Sequence, residues 1–266
     1  MAAMNEAIRV GRANRLDVEI HYEVYGEGAP VVLVAGLGDD HLSWQAQVQD
    51  LQRDHQVVVF DNRGIGKSTI APGPYAVREM AEDCHALVQA LGLSGVAAIG
   101  SSMGGAICQL WALEYPEDIR RLVLTNTWGR RDPFLEALFT HWIRLGGQGR
   151  RQEIAESLLL FCYSPEFLEA NPRTVQEFYD AERPNLEGFI AGSHACRSHD
   201  VLERLAAIEQ PTLVIAGEHD ILTRPQFSHE LAGRIPGAEL ATLSTGHMVF
   251  WERAAEFNAL LEQFLR

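Results

Sequence analysis

The chain carries little positive charge for its length. It has 22 lysine and arginine residues against 36 aspartate and glutamate residues, which gives a formal net charge of −14. A surface of this sign repels phosphate backbones and anionic lipid headgroups, so neither nucleic acids nor membranes are expected partners. The excess of acidic residues is typical of a soluble protein, and it leaves the oligomeric state open.

Cysteine is also scarce. No two of the four cysteines are spaced as a C-x-x-C pair, which excludes zinc ribbons and thiol–disulfide redox motifs. The four are Cys84, Cys108, Cys162 and Cys196. We therefore expect free thiols, as in proteins of a reducing compartment.

Long hydrophobic runs are missing as well. The longest apolar run near the N-terminus, Val31–Ala35, is far too short to span a bilayer. The preceding residues lack the apolar core of a secretory signal peptide. These observations predict a cytoplasmic protein, and no internal repeat or low-complexity segment changes that interpretation.

What the sequence does contain is an alternation of strand and helix patterns. Val18–Tyr25 alternates apolar and polar residues, which predicts a half-buried strand. Short apolar runs, typical of strands buried on both faces, occur at Val31–Ala35, Val57–Phe60, Val96–Ile99, Leu122–Leu124 and Leu213–Ala216. Apolar residues at helical spacing occur in Arg78–Leu91, Met103–Tyr115 and Ala254–Leu265. This alternation predicts an α/β fold with a doubly wound, mostly parallel sheet.

One long segment departs from that rhythm. Residues 128–199 contain no β-rich run and instead suggest short helices separated by glycines and by Pro133, Pro165, Pro172 and Pro184. The segment lies between two stretches that alternate strand and helix. We therefore predict a core formed by residues 1–127 and 200–266, with residues 128–199 inserted as a helical cap.

The clearest chemical motif follows the predicted strand Val96–Ile99. There the chain has a G-x-S-x-G pattern, from Gly100 to Gly104, and a predicted helix begins directly after it. A tight strand–turn–helix of this kind exposes its serine at the carboxyl edge of the sheet. Ser102 is therefore the candidate nucleophile, and the backbone N–H of Met103, at the start of the helix, is a candidate oxyanion donor.

A second oxyanion donor is expected from the loop after the strand Val31–Ala35. The small residues of Gly36-Leu37-Gly38 let this loop approach the site, and the N–H of Leu37 is the candidate. The loop is not a dinucleotide fingerprint, because His41 occupies the third glycine position. Similarly, Gly66-Lys67-Ser68 is not a phosphate-binding loop, because Asp61 occupies its first glycine position. We therefore expect no cofactor.

The base and the acid are expected in the chain order Ser, Asp, His. Asp220 follows the late strand Leu213–Ala216, so it should lie at the same sheet edge as Ser102. His247 follows another apolar run and a glycine. A serine hydroxyl needs a base to accept its proton, and His247 suits that role, with Asp220 fixing the imidazole tautomer.

At this point the sequence resembles the α/β-hydrolase superfamily over nearly its whole length. The residues that carry the resemblance are Ala35–Gly38 with Trp44, Phe60–Ser68, Gly100–Gly105, Gly217–Asp220 and Gly246-His247. Within the superfamily the chain looks most like the 3-oxoadipate enol-lactonase group and related hydrolases of small esters. Leu159–Pro165 is also similar to part of the aminoacrylate hydrolase of pyrimidine degradation. The resemblance implies a cytoplasmic serine hydrolase with neither cofactor nor metal, acting on a small-molecule ester or lactone.

The cap is expected to cover the pocket and to select the substrate. Candidate substrate-binding residues are Gly36, Trp44, Trp128, Trp142 and Phe161. The resemblance excludes haloalkane dehalogenases and epoxide hydrolases, which use an aspartate where this chain has Ser102. Two alternatives stay open besides ester or lactone cleavage through an acyl-enzyme: carbon–carbon bond hydrolysis of ring-fission products, and a ligand receptor on the same fold.

Overall fold

The computed structural model describes residues 7–180 and 185–266. Residues 1–6 of the predicted core and 181–184 of the predicted cap, including Pro184, lie outside the described residues. In the described part of the chain one sheet forms the centre of the molecule. Its strands are β1 (Arg9–Arg15), β2 (Val18–Tyr25), β3 (Ala29–Val34), β4 (His55–Phe60), β5 (Val96–Ser101), β6 (Ile119–Thr125), β7 (Thr212–Gly217) and β8 (Glu239–Leu243).

The strand order is β1-β2-β4-β3-β5-β6-β7-β8. β2 is antiparallel to both of its neighbours, and the strands from β3 to β8 are all parallel. The predicted α/β fold with a mostly parallel sheet is confirmed. Because the carboxyl ends of parallel strands meet at one edge, residues that follow β3, β5, β7 and β8 come together there.

Helices cover both faces of this sheet. Those described are α1 (Gln45–Leu51), α2 (Val77–Leu91), α3 (Met103–Glu114), α4 (Pro133–Gly147), α5 (Arg151–Cys162), α6 (Pro165–Ala170), α7 (Pro172–Asp180), α8 (Leu186–Ser198), α9 (Pro225–Arg234), α10 (Val249–Glu252) and α11 (Ala254–Leu265). None of the described helices is both long and apolar enough to cross a membrane.

The central strands are apolar because both of their faces are buried. In β3, Val32 and Val34 point into the core that α2 and α3 cover, whereas Val31 and Leu33 point into the core that α1 and α11 cover. All four side chains are fully buried. The continuous apolar run in the sequence is therefore a direct consequence of a sheet packed on two sides.

The prediction of a half-buried β2 needs correction. Glu19 is exposed as expected, but His21, Glu23 and Tyr25 on the same face are buried. Their polar atoms are paired with one another: the Tyr25 hydroxyl donates to Glu23 Oε2 at 2.6 Å, and His21 Nε2 lies 3.1 Å from Glu23 Oε1. Mutual hydrogen bonding allows polar side chains to be buried at a position where an alternating pattern predicts solvent.

The predicted cap region contains α4 to α8, inserted between β6 and β7. Its two ends lie side by side, since Arg130 and Asp200 form an isolated antiparallel bridge and the N–H of Val201 donates to the carbonyl oxygen of Gly129 at 2.8 Å. The cap helices share the core that α2 and α3 cover through buried side chains such as Phe139 and Trp142.

Candidate active site

The turn between β5 and α3 holds Ser102 in a strained backbone conformation, with a positive φ of 54° and ψ of −120°. Residues with a side chain rarely adopt it, so the surrounding hydrogen bonds must hold it in place. The N–H of Ser102 donates to the carbonyl oxygen of Thr125 at 2.9 Å. The Thr127 hydroxyl donates to the carbonyl oxygen of Ser102 at 2.7 Å. Both partners belong to β6 and the loop after it, so the neighbouring strand fixes the serine.

The glycines around Ser102 leave no room for a side chain. A Cβ at Gly100 would overlap the carbonyl oxygen of Gly104, and a Cβ at Gly104 would overlap the carbonyl oxygen of Val34. Close approach of backbone segments therefore accounts for both glycines of the motif.

His247 and Asp220 form a buried pair at the same sheet edge. His247 Nδ1 lies 2.7 Å from Asp220 Oδ2. The N–H groups of Leu222 and Thr223 donate to Asp220 Oδ1 at 2.8 and 2.9 Å. Because a carboxylate can only accept, we assign the imidazole hydrogen to Nδ1, which leaves the Nε2 lone pair free to accept a proton.

Two further residues support this pair, and the sequence analysis missed both roles. Asn126, at φ of 43°, accepts a hydrogen bond from the N–H of Gly217 at 2.7 Å and donates to the carbonyl oxygen of His247 at 2.7 Å. The Thr223 hydroxyl lies 2.8 Å from Asp220 Oδ2 and 3.1 Å from His247 Nδ1. Neither residue belongs to a sequence motif that the analysis recognised.

The loop that carries the histidine is also tied to the cap. Glu252 accepts hydrogen bonds from the N–H and hydroxyl of Ser164, at 3.0 and 2.6 Å, and from the N–H of Gly246, at 3.2 and 3.1 Å to its two oxygens. The N–H of Met248 donates to the carbonyl oxygen of Cys162 at 3.0 Å. The position of the imidazole thus depends on contacts with α5 and the start of α6.

A cavity of about 180 Å³ joins these elements. Ser102 and His247 line it, together with Gly36, Leu37 and Trp142. Further walls come from the cap, where the lining side chains are mostly apolar and include Phe139, Ile154, Leu158, Phe178 and Phe189. A cavity of this size holds a group somewhat larger than a benzene ring, and its apolar walls suit a hydrocarbon group.

The predicted oxyanion donors lie on either side of Ser102. Met103 is the first residue of α3. A Cβ built on Gly36 would be only 3.4 Å from Ser102 Cβ, so the loop that carries Leu37 passes next to Ser102. Both backbone segments therefore lie next to Ser102, and the N–H groups of Leu37 and Met103 remain the candidate oxyanion donors.

Three of the five predicted substrate-binding residues do not line this cavity. Trp44 is fully buried and stacks on Phe250, with ring centroids 4.3 Å apart. Trp128 is fully buried against Phe139. Phe161 packs against Phe134, with ring centroids 6.2 Å apart. Trp44 and Trp128 therefore belong to the hydrophobic interior, and Phe161 is a partly buried ring of α5 that packs against the core covered by α2 and α3.

The cavity also contains two charged residues that the sequence analysis did not single out. Asp39 lies in the loop after β3, and Arg151 is an exposed residue at the start of α5. Burial raises the pKa of the Asp39 carboxyl to about 6, against the opposing effect of His247. A buried carboxyl group with a raised pKa in the same cavity as Ser102 and His247 is a signal of function. It depends on spatial proximity that no spacing in the sequence reveals.

Comparison with known proteins decides the family. The sequence profile described as alpha/beta hydrolase fold matches residues 29–254. The chain belongs to the α/β-hydrolase family.

Several proteins similar to this α/β hydrolase are named as hydrolytic enzymes. A protein of Azorhizobium caulinodans, provisionally named carbamate hydrolase RutD, is 32% identical over 252 residues, which cover 93% of this chain and 95% of the relative. The crystal structure of the enol-lactonase from Burkholderia xenovorans is 28% identical, with a TM-score of 0.91 and coverage of 96% and 99% of the two chains. A thermophilic esterase from Thermogutta terrifontis is 25% identical, with a TM-score of 0.88 and coverage of 97% and 98%. The α/β-hydrolase family and the similarity to these proteins support hydrolytic activity.

One group of side chains in this α/β hydrolase could hold a metal ion, although the sequence predicted no metal site. Among the described residues, donor atoms of His21, Glu23 and His41 lie within 4.8 Å of one another. Their polar atoms are already paired, because Glu23 Oε1 lies 3.1 Å from His21 Nε2 and 3.2 Å from His41 Nε2. Burial would raise the Glu23 pKa, but hydrogen bonds from Tyr25 and His21 lower it to about 2. The three side chains therefore fit a network of hydrogen bonds and ion pairs within the fold, centred on Glu23.

Proposed function

We propose that this chain is a serine hydrolase that cleaves a carboxylic ester or lactone through an acyl-enzyme at Ser102. One observation carries the proposal: Ser102, on a tight turn with a positive φ, and the hydrogen-bonded His247–Asp220 pair line or adjoin the same largely apolar cavity. This is the set of groups that nucleophilic acyl transfer requires.

In the first half of the reaction, His247 Nε2 takes the proton of the Ser102 hydroxyl as Oγ attacks the carbonyl carbon. The N–H groups of Leu37 and Met103 donate to the negative oxygen of the tetrahedral intermediate. The intermediate then collapses, the carbon–oxygen bond of the ester breaks, and His247 gives its proton to the leaving oxygen. With a lactone, the alcohol stays attached to the acyl group.

In the second half, His247 removes a proton from water, and the hydroxide attacks the acyl carbon. The bond to Ser102 Oγ then breaks, and His247 returns the proton to the serine. Asp220 stabilises the imidazolium in both halves, and Thr223 and Asn126 keep the pair in position. All proton transfers in both halves pass through the one imidazole of His247.

The proposal is tested with 4-nitrophenyl acetate and butyrate. We expect Ser102→Ala to lower kcat/KM by about a thousandfold or more, because it removes the nucleophile. Ser198→Ala, which removes an exposed serine hydroxyl from α8, is the matched control and should keep the wild-type rate. Equal rates for wild type and Ser102→Ala would disprove the proposal.

A second candidate function is carbamate hydrolysis, which the name of the Azorhizobium caulinodans relative favours. The same groups can attack a carbamate carbonyl and release the leaving group as an alcohol. Comparing kcat/KM for 4-nitrophenyl butyrate and 4-nitrophenyl carbamate separates the two, and a higher value for the carbamate would favour this second function. No specific feature of the described site favours carbon–carbon bond hydrolysis or ligand reception.

A further inference from the structure

The carboxyl group of Asp39 lies next to the nucleophile. A Cβ built on Gly36 would be 3.0 Å from Asp39 Oδ2 and 3.4 Å from Ser102 Cβ, so both atoms border the same small space. Asp39, Ser102 and His247 all line the cavity described above. The carboxyl group is therefore placed where an acyl group attached to Ser102 would begin.

In the described part of the chain, no group donates a hydrogen bond to the carboxyl group of Asp39. Its neighbour Asp40 is different, because Asp40 Oδ1 accepts from the N–H of Leu42 at 2.9 Å and so caps the following turn. The charged groups that act on the Asp39 carboxyl are His247 and Asp40. A carboxyl group with no partner in a mostly apolar cavity is costly, and a ligand that supplies the missing donor would remove that cost.

The cavity that Asp39 lines also offers aromatic rings to a cation. Phe139, Trp142, Phe178 and Phe189 line the cavity, and aromatic faces attract ammonium groups. A carboxylate adds a charge-assisted hydrogen bond to the same ligand. Arg151 also lines the cavity, but it is exposed to solvent.

We propose that Asp39 binds an ammonium group close to the scissile carbonyl, so that the chain prefers esters of amino acids to alkyl esters of the same shape. The inference rests on the proposed ester hydrolysis, whose acyl-enzyme at Ser102 places the acyl group beside Asp39. A negative carboxylate near the developing oxyanion disfavours the transition state of an uncharged ester. The ammonium group neutralises that carboxylate, which turns an unfavourable charge into a source of selectivity.

The test uses two esters that differ only in one group, 4-nitrobenzyl alaninate and 4-nitrobenzyl isobutyrate, in which an ammonium group replaces a methyl group. We expect kcat/KM at pH 7 to be higher for the alaninate. Asp39→Asn should lower the alaninate-to-isobutyrate ratio about tenfold to a hundredfold, the range expected for a hydrogen bond between charged groups. Asp40→Asn is the matched control, because it removes the same charge from the same loop while asparagine still caps the turn.

An unchanged ratio in Asp39→Asn, or an equal fall in Asp40→Asn, would overturn the proposal. Binding provides a readout that needs no turnover: calorimetry on Ser102→Ala should give tighter binding of the alaninate, and adding Asp39→Asn should abolish that difference. Equal affinities for the two esters in Ser102→Ala would also overturn it. Failure of Asp39 selectivity is thus separable from failure of ester hydrolysis, which the 4-nitrophenyl ester assay reports.

Discussion

At the scale of single residues, Asp39 has a consequence for stability as well as for substrate binding. Burial raises its pKa from an ordinary value of 3.8 to about 6, with a smaller increase from Asp40 and an opposing effect of His247. Between these two values the folded chain holds a proton that the unfolded chain has lost. Linkage then requires that the contribution of Asp39 to the free energy of unfolding falls as pH rises from about 4 to 6.

Replacing Asp39 with asparagine removes this dependence. At pH 8 we expect Asp39→Asn to raise the free energy of unfolding above that of the wild type by on the order of 1–2 kcal/mol, a value reduced for solvent screening because the side chain is partly exposed. At pH 4 the difference should nearly vanish. Urea unfolding of both proteins at the two pH values measures it. The same difference at both pH values would show that the carboxyl group does not titrate as described.

At the scale of secondary-structure elements, the close packing of α3 against β3 requires glycine at position 104, although helix propensity favours other residues. Gly104 lies in the first turn of α3, and the backbone of Val34 passes directly over it. Propensity alone favours alanine over glycine in a helix by about 1 kcal/mol. The steric overlap at this position acts in the opposite direction and should outweigh it.

Glycine-to-alanine substitutions in two helices test whether packing excludes a side chain at position 104. We expect Gly104→Ala to lower the free energy of unfolding by about 3 kcal/mol, because β3 and α3 must separate to admit the methyl group. Gly233→Ala in α9, where a new Cβ meets open space, should raise it by about 0.5–1 kcal/mol. Chemical denaturation gives both values. A stabilising Gly104→Ala would contradict the tight packing of the elbow.

How far the sequence predicts an element depends on the burial of that element. The predicted helix Arg78–Leu91 differs from α2 by one residue, since α2 has one clear apolar face in the core. Strand β1 was missed because it is an edge strand whose side chains are mostly exposed, so Arg9–Arg15 has no apolar alternation. In the cap, apolar rings such as Trp128 looked like candidate pocket residues. Trp128 lies in the loop between β6 and α4 and packs against Phe139 of α4, a tertiary contact that periodicity cannot predict.

The residues of the candidate site also divide into those that local sequence patterns predict and those that only the structure reveals. Ser102, Asp220 and His247 were predicted because each follows a strand in a characteristic local pattern and in a fixed chain order. Asn126 and Thr223 act through hydrogen bonds between loops that are far apart in sequence. Such contacts leave no local pattern, so only the three-dimensional structure reveals them.

At the scale of the whole molecule, the parallel sheet brings distant parts of the chain to one edge. The Ser102 turn follows β5, whereas Asp220 and His247 follow β7 and β8, after the whole cap has been inserted. The cap in turn closes over the same edge and is tied to the histidine loop by Glu252. The sheet topology thus accounts both for the placement of Ser102 and for the position of the cavity that it lines.

The most direct test of this arrangement is covalent labelling with a fluorophosphonate, which reacts with activated serines. We predict one adduct per chain in intact mass spectra, located at Ser102 by peptide mapping. Ser102→Ala should take up no label, and His247→Ala should react at least about a hundredfold more slowly, because the base that activates the hydroxyl is gone. Labelling at another residue, or equal rates in wild type and His247→Ala, would contradict a nucleophile at Ser102 activated by His247.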